Sequence, residues 1–388
     1  MKLPISYGCQ YISDDDIQAV VETLKSDYLT CGPKVPEFEQ SFCEYVHAKY
    51  SVAVCNATAA LHIAIMALGV KEGDNVICTP MTFASSANCI RFCGGNVKFV
   101  DIAPETYLLD INKLKETLSA APKGTYKGMV LVDFAGYPHN MEEYRKVADE
   151  YGMWILEDAC HAPGAYFIDS TGEKIYCGCG KYSDITVFSF HPVKHITTGE
   201  GGMACTQNKE YYEKMALYRT HGITHDTSKL QREDGLWYYE LQELGYNYRI
   251  TDIQAALGIS QLKRAKKNVE IRRDLVGKYN EAFANIPGIK TPYEASDVYH
   301  AYHLYVIQVE DRFGLYNFLR ENNIFAQVLY YPLNLMPYYR QFGNKEDDLP
   351  VVEDYYKHCL ALPMFPTLTD EQQQYVILSV IHISEPTR

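Results

Sequence analysis

The sequence predicts an α/β protein, with a large domain built on a mostly parallel sheet and a smaller C-terminal α+β domain. Three observations predict it. Short apolar runs alternate with helix-period segments from about residue 50 to residue 206, and such alternation gives a parallel sheet covered on both faces. A long helical pattern then runs from Thr251 to about residue 283. Finally, 388 residues exceed what one core usually holds. The expected division is 1–250 for the large domain, N-terminal segment included, and 251–388 for the small one.

In chain order, Ser13-Asp14-Asp15-Asp16 reads as a helix start, with Ile17, Val20, Val21 and Leu24 on one face. Apolar runs predict strands at 51–54, 75–78, 97–102, 129–134, 153–157, 185–190 and 203–206, and a helix at 140–151. The small domain is expected to hold strands at 303–309 and 325–330 and a last helix at 370–381. The final Ser384-Glu385-Pro386-Thr387-Arg388 breaks the helical pattern, and no function is expected of it. There are no repeats, low-complexity tracts or flexible linkers.

The net charge is −13, from 36 basic and 49 acidic residues. That balance argues against nucleic-acid or anionic-membrane partners, which select basic patches. No apolar run reaches membrane-spanning length, and Met1-Lys2-Leu3-Pro4 does not read as a signal peptide. The twelve cysteines lie scattered in apolar segments and read as small buried hydrophobes of a reducing cytoplasm. Cys177-Gly178-Cys179 has no second cluster at zinc-site spacing, so no metal is expected. Most of the 33 tyrosines read as packing residues at interfaces.

The most informative stretch is Phe188-Ser189-Phe190-His191-Pro192-Val193-Lys194-His195, followed by a glycine-rich turn. It fixes one amine at the mouth of a sheet. Desolvation there lowers a lysine's pKa and makes it a Schiff-base nucleophile; a loop lysine is otherwise an ordinary exposed side chain. Upstream, Trp154-Ile155-Leu156-Glu157 delivers Asp158 at a strand end, with His161 three residues later. Ligands bind at such strand ends. A buried carboxylate keeps the pyridine nitrogen of pyridoxal phosphate (PLP) protonated, as its electron-sink chemistry needs, and His161 can reach the ring hydroxyl. Asp158 can equally cap the following segment. In Cys55-Asn56-Ala57-Thr58-Ala59, small residues open a helix whose N-terminus suits phosphate. The same pattern fits an ordinary buried helix.

Together with LTCGPKVPEFE, PMTFASSANCI, VDFAG, ELGYNYRITDIQAALGISQL and LPMFPTLTDEQ, these segments resemble the PLP-dependent nucleotide-sugar aminotransferases of the DegT/StrS type, from about residue 3 to about residue 380. The resemblance implies fold type I. It implies Lys194 as the Schiff-base lysine, Asp158 as the pyridinium partner, and His161 beside the ring hydroxyl. It implies Phe83 stacked on the ring, and phosphate contacts from Thr58, Ala59 and Ser189, with Asn247 reaching in from a partner subunit. For the sugar nucleotide it implies Tyr7, Asp27, Tyr28, Leu29, Thr30, Ala57, Gln327, Val328, Leu329 and Tyr330. Relatives often carry histidine where Leu329 stands.

FSFHPVK with ELGYNYR is most similar to the 4-aminotransferases of pseudaminic acid biosynthesis. The implied reaction moves an amino group from L-glutamate to C4 of a UDP-linked 4-keto-6-deoxy-N-acetylhexosamine, in a cytoplasmic homodimer. Two alternatives stand beside it: a UDP-4-ketopentose 4-aminotransferase of lipid A modification, and a non-catalytic, PLP-binding regulatory relative. Dehydratases of the family carry histidine in place of the lysine; position 194 is lysine, which favours transamination.

Overall fold

The computed structural model describes residues 4–232 and 234–384. Met1, Lys2 and Leu3 of the expected leaderless N-terminus, and 385–388 of the tail, lie outside the described residues. The large body centres on seven strands: β1 (Tyr50–Val54), β2 (Asn75–Cys78), β3 (Asn96–Phe99), β4 (Tyr126–Val132), β5 (Trp154–Asp158), β6 (Ile185–Ser189) and β7 (Gly202–Thr206). Their order across the sheet is β1-β7-β6-β5-β4-β2-β3. Neighbours run parallel except for β7, which is antiparallel to both β1 and β6. Helices cover both faces, so β4 to β7 are buried almost throughout, as their near-continuous apolar sequences require.

One apolar cluster fixes the strand that leads to Lys194. Phe38 and Phe42 of the helix Lys34–Val46 meet Phe188 and Phe190, with ring centroids 5.0 to 5.3 Å apart across the contact. All four side chains are fully buried, each contributing about 1.5–3 kcal/mol of transfer free energy. Gly202 opens β7 hard against the turn after β1. A Cβ there would lie 2.6 Å from the Ala57 nitrogen, so only glycine lets β7 pass the start of the helix Ala57–Ala67.

The small body holds an antiparallel sheet of Ile289–Lys290, Tyr305–Val309 and Cys359–Leu362, under the helices Ala265–Phe283 and Asp370–Ser384. Packing crosses the expected division at residue 250 at several places, two of which involve the N-terminal segment. The helix Asp252–Leu262 lies on the N-terminal helices, where Gly258 faces the Phe38 ring. In the other direction, Ile5–Ser6 pairs in parallel with Ile324–Phe325, and Ile5 is buried in the small core.

Several sequence expectations shift for identifiable reasons. The strand expected at 97–102 stops at Phe99, because Asp101 turns away to accept the Val351 and Val352 amides of the helix Pro350–His358. That expected at 129–134 runs from Tyr126 to Val132 and gives way to a short 3-10 turn at Phe134–Gly136. The helical region from Thr251 is two helices, Asp252–Leu262 and Ala265–Phe283. Between them Arg264 reaches the buried Asp16. The first helix, Asp14–Leu24, starts where expected; its buried residues are Asp16 and Thr23, while Ile17 and Leu24 stay more than half exposed. Of the segment 325–330, only Phe325 is in a strand.

Candidate active site

The carboxyl ends of β1, β2, β5 and β6 open into one cavity of about 500 Å³. It is lined by Tyr7, Ala57, Thr58, Phe83, Asp158, His161, Ser189, Lys194, Leu329 and Tyr330, all expected from the sequence. The remaining expected residues lie elsewhere in this chain. Gln327 is tied to Ala361 by a pair of main-chain hydrogen bonds, 3.0 and 2.8 Å, and Val328 packs into apolar clusters. Asp27, Tyr28, Leu29 and Thr30 form an exposed turn against the start of the helix Asp252–Leu262: the Asp252 amide donates to the Leu29 carbonyl, and the Asp252 carboxylate accepts the Gly32 and Lys34 amides. Asn247 bridges to Thr220.

Asp158 ends β5 and is 5% exposed. Its Oδ2 accepts the Ser86 hydroxyl at 2.6 Å and its Oδ1 accepts the Cys160 amide at 3.2 Å. Ser86 spends its single proton on the carboxylate, so the Thr82 hydroxyl, 2.7 Å away, must donate to Ser86. No helix follows Asp158, and the Cys160 amide is the one main-chain donor of the next turn recorded on its carboxylate. A donor chain anchored on one oxygen holds the carboxylate toward the cavity.

Lys194 sits in the turn after β6, where its amide donates to the His191 carbonyl at 2.9 Å. Burial pushes its ammonium pKa down, against the pull of Cys160 and Asp158. The turn is pinned from below. The Thr197 hydroxyl and the Thr198 amide both donate to the Phe190 carbonyl, and His195 Nε2 donates to the Ala301 carbonyl at 2.9 Å. A lysine of lowered pKa, held rigidly in a cavity with one oriented carboxylate, has the character of an imine-forming amine and proton carrier.

His161 is set by main chain. Its Nδ1 accepts the Ala135 amide at 3.2 Å, which leaves the ring proton on Nε2, 3.3 Å from the Tyr330 hydroxyl. Burial and the nearby Lys194 hold the imidazole well below its usual pKa, hence neutral. The first turn of the helix Ala57–Ala67 faces the cavity through Ala57 and Thr58. Thr58 shares a 2.7 Å hydroxyl contact with Ser85, while the Ala59 amide is committed to the Asn56 cap at 2.9 Å.

Sequence reasoning missed Thr82, Ser85, Ser86 and His303. The three hydroxyl residues sit in the same PMTFASSANCI segment that points to Phe83, and small hydroxyls at a helix start were the available signal. His303 lines the cavity with its ring 4.4 Å from that of His161. Its segment is held by the buried Arg272, which donates to the Tyr302, His303 and Met364 carbonyls. No local pattern marks it, since its partners come from distant parts of the chain.

The residues fit PLP. A lysine amine of lowered pKa, a clamped carboxylate, a neutral histidine with an outward N–H and a hydroxyl-bearing helix N-terminus surround one cavity of suitable size. The sequence profile of the DegT/DnrJ/EryC1/StrS aminotransferase family matches residues 10–381. The chain belongs to this family.

Among relatives, the chain is 39% identical to the spore coat polysaccharide biosynthesis protein SpsC of Bacillus subtilis, over 97% of this chain and 96% of that one. It is 34% identical to the UDP-4-amino-4,6-dideoxy-N-acetyl-beta-L-altrosamine transaminase of Campylobacter jejuni, over 99% and 98%. Among solved structures it is similar to Helicobacter pylori PseC, an aminotransferase involved in the biosynthesis of pseudoaminic acid, with TM-score 0.87, 28% identity and coverage of 98% and 99%. The PLP form of the sugar aminotransferase Spr1654 from Streptococcus pneumoniae gives TM-score 0.87 and 28% identity, over 98% of both chains. As a member of the DegT/DnrJ/EryC1/StrS family, the protein is a PLP-dependent sugar aminotransferase of the aminotransferase fold. No helix among the described residues is long and apolar enough to cross a membrane.

Proposed function

We propose that the protein transfers an amino group from L-glutamate to the C4 keto group of a UDP-linked 4-keto-6-deoxy-N-acetylhexosamine, giving a UDP-4-amino-4,6-dideoxy sugar of the pseudaminic acid type. The observation that carries the aminotransferase chemistry is the Lys194–Asp158 arrangement: a desolvated amine and a clamped carboxylate in one cavity. The sugar assignment is supported by the similarity to the Campylobacter jejuni UDP-4-amino-4,6-dideoxy-N-acetyl-beta-L-altrosamine transaminase, the FSFHPVK and ELGYNYR segments, and the apolar Leu329 and Val193 on the cavity wall, which suit a deoxygenated sugar carbon.

When bound, PLP supplies an electron sink for the carbanion formed at the donor's α-carbon. The chain supplies the rest. Asp158 holds a proton on the ring nitrogen. His161 Nε2–H donates to the ring oxygen. The N-terminus of the helix Ala57–Ala67, with Thr58 and Ser189 beside it, takes the phosphate. The Lys194 amine is the proton carrier between donor and acceptor carbons; fixed in its turn, it delivers the proton to one face and so sets the new stereocentre.

We further propose a homodimer with shared sites. Asn247 and the turn at Asp27–Thr30 lie outside their own chain's cavity but together on the segment around Thr251, which is where residues serving a partner's cavity would sit. A second substrate reading rests on the 39% identity to the spore coat protein, which favours a different polysaccharide sugar. A coupled assay on a panel of 4-keto UDP-sugars, with NMR of the products, separates the readings. Amination of the N-acetyl-6-deoxyhexosamine is expected. Turnover confined to the ketopentose, or to a sugar without the acetamido group, would replace this assignment.

A further inference from the structure

On the side of β5 facing away from the cavity, Asp133 and Glu157 meet without a counter-charge. Glu157 precedes Asp158, so strand alternation sends the two side chains to opposite faces of the sheet. Both carboxyls are buried, and donor atoms of Asp133, Glu157 and Cys177 lie within 4.8 Å of one another. Among the described residues no lysine or arginine pairs with either; the one ionisable partner at ion-pair distance is His139, whose Nδ1 is 2.8 Å from Asp133 Oδ1.

The hydrogen-bond inventory distinguishes the two acids. Asp133 accepts the His139 amide at 3.0 Å, the His139 ring N–H at 2.8 Å and the Cys177 thiol at 3.3 Å. A carboxylate so surrounded by donors is the ionised member. Glu157 takes all its donors on Oε2: Thr186 at 2.6 Å, Ser183 at 3.0 Å and the Gly178 amide at 3.4 Å. The two carboxyls are also hydrogen-bonded to each other, which needs a proton, and with Asp133 ionised that proton sits on Glu157. The network ties β4's end, β5, β6 and the loop before β6 together, and the Asp133 amide donates to the Asp158 carbonyl at 3.1 Å.

We propose that Asp133 and Glu157 share one proton and form a positioning pair that holds Asp158 toward the cofactor, so that loss of the proton loosens the strand ends carrying the site.

The titratable groups around the pair are His139, Tyr144, Asp158, Cys160, Cys177, Cys179 and Cys205. Burial keeps the His139 imidazole neutral, pushing its pKa down to about 3, and raises the four thiols and the Tyr144 phenol. Burial, with the Asp158 charge adding to it, pushes Asp133 up to about 7, and burial with the Asp133 charge pushes Glu157 up to about 8. A folded-state pKa raised above its unfolded value stabilises fully at low pH, and that stability is lost as pH rises through the folded pKa.

The test compares wild type with Glu157→Gln, both as PLP-loaded protein, in denaturant unfolding from pH 5 to pH 8. Glutamine keeps the shape and donates an N–H to Asp133 without a titrating proton. The folding constant of Glu157→Gln relative to wild type is expected to rise by up to about tenfold per pH unit, flattening near the upper end. PLP affinity of the wild type is expected to weaken above pH 8 more steeply than that of the variant. Infrared spectra should show a protonated-carboxyl stretch in wild type that is absent from Glu157→Gln. If that variant does not fold, Asp133→Asn with the same infrared measurement replaces it, and the carboxyl band should then be lost at lower pH than in wild type, because the Asp133 charge that holds the proton on Glu157 is gone. A pH-independent stability ratio, or no protonated carboxyl in wild type, overturns the proposal. So does a stoichiometric divalent metal that leaves with Glu157→Gln, since the three donor atoms are close enough to hold one.

Discussion

Ser86 donates its hydroxyl proton to Asp158 Oδ2 across 2.6 Å, and this contact joins the start of one helix to the end of β5. It makes Ser86 the orienting partner of the carboxylate that lines the cavity. Ser86→Ala removes a hydrogen bond to a charged group, worth about 1.5–3 kcal/mol. The expected result is a roughly 10- to 100-fold lower kcat with weaker PLP binding in a protein that still folds. Ser86→Thr is expected to recover part of the loss. Steady-state kinetics and a PLP titration decide; an Ala variant of unchanged kcat would mean that Asp158 holds its position without the hydroxyl.

Lys194→Ala is expected to abolish turnover while leaving the fold and non-covalent PLP binding in place. Lys194 lies in a turn held by Thr197, Thr198 and His195, which do not depend on its side chain. Borohydride reduction followed by mass spectrometry checks it. A reducible bond to PLP surviving in the variant would assign the amine elsewhere.

Asp158→Asn keeps the Ser86 contact but loses the charge beside the ring nitrogen. A preorganised charge of this kind is worth several kcal/mol in a water-poor site, so kcat is expected to fall by about 10²–10³. Single-turnover kinetics with L-glutamate measure it. Near-normal rates would leave Asp158 only a structural role.

Mixing two inactive proteins, Lys194→Ala and Asn247→Asp, tests the shared site. After subunit exchange, one site of each mixed dimer retains both native residues, so activity is expected to return. If mixed dimers form, as native mass spectrometry would show, and no activity appears, Asn247 serves its own chain.

The sequence made the site legible where chemistry and local structure coincide. Lys194 and Asp158 stand at strand ends with turn signals beside them, and the structure brings both to one cavity. Ser86 was legible only in its neighbourhood, because a serine at a helix start looks the same whether or not a carboxylate waits opposite. His303 and Arg272 were legible only as members of an expected strand and an expected helical stretch: their roles come from contacts between distant segments, which no local pattern announces. The first helix lies where the sequence places it, with its four apolar residues on one face, but what it buries is Asp16 and Thr23, and the pairing of Asp16 with Arg264 comes from a distant segment.

The parallel pairing of Ile5–Ser6 with Ile324–Phe325 carries a consequence for biosynthesis. Tyr7 is placed on the cavity wall next to a strand whose partner, Ile324–Phe325, is synthesised only after the whole of the seven-stranded sheet. The seven-stranded sheet, complete at Thr206, can assemble well before that. Domains fold as units while the chain grows, so the cofactor-facing half of the pocket forms first and the Tyr7 side closes last. A nascent chain stalled before residue 324 would carry Lys194 and Asp158 on a finished sheet with the pocket still open on its Tyr7 side.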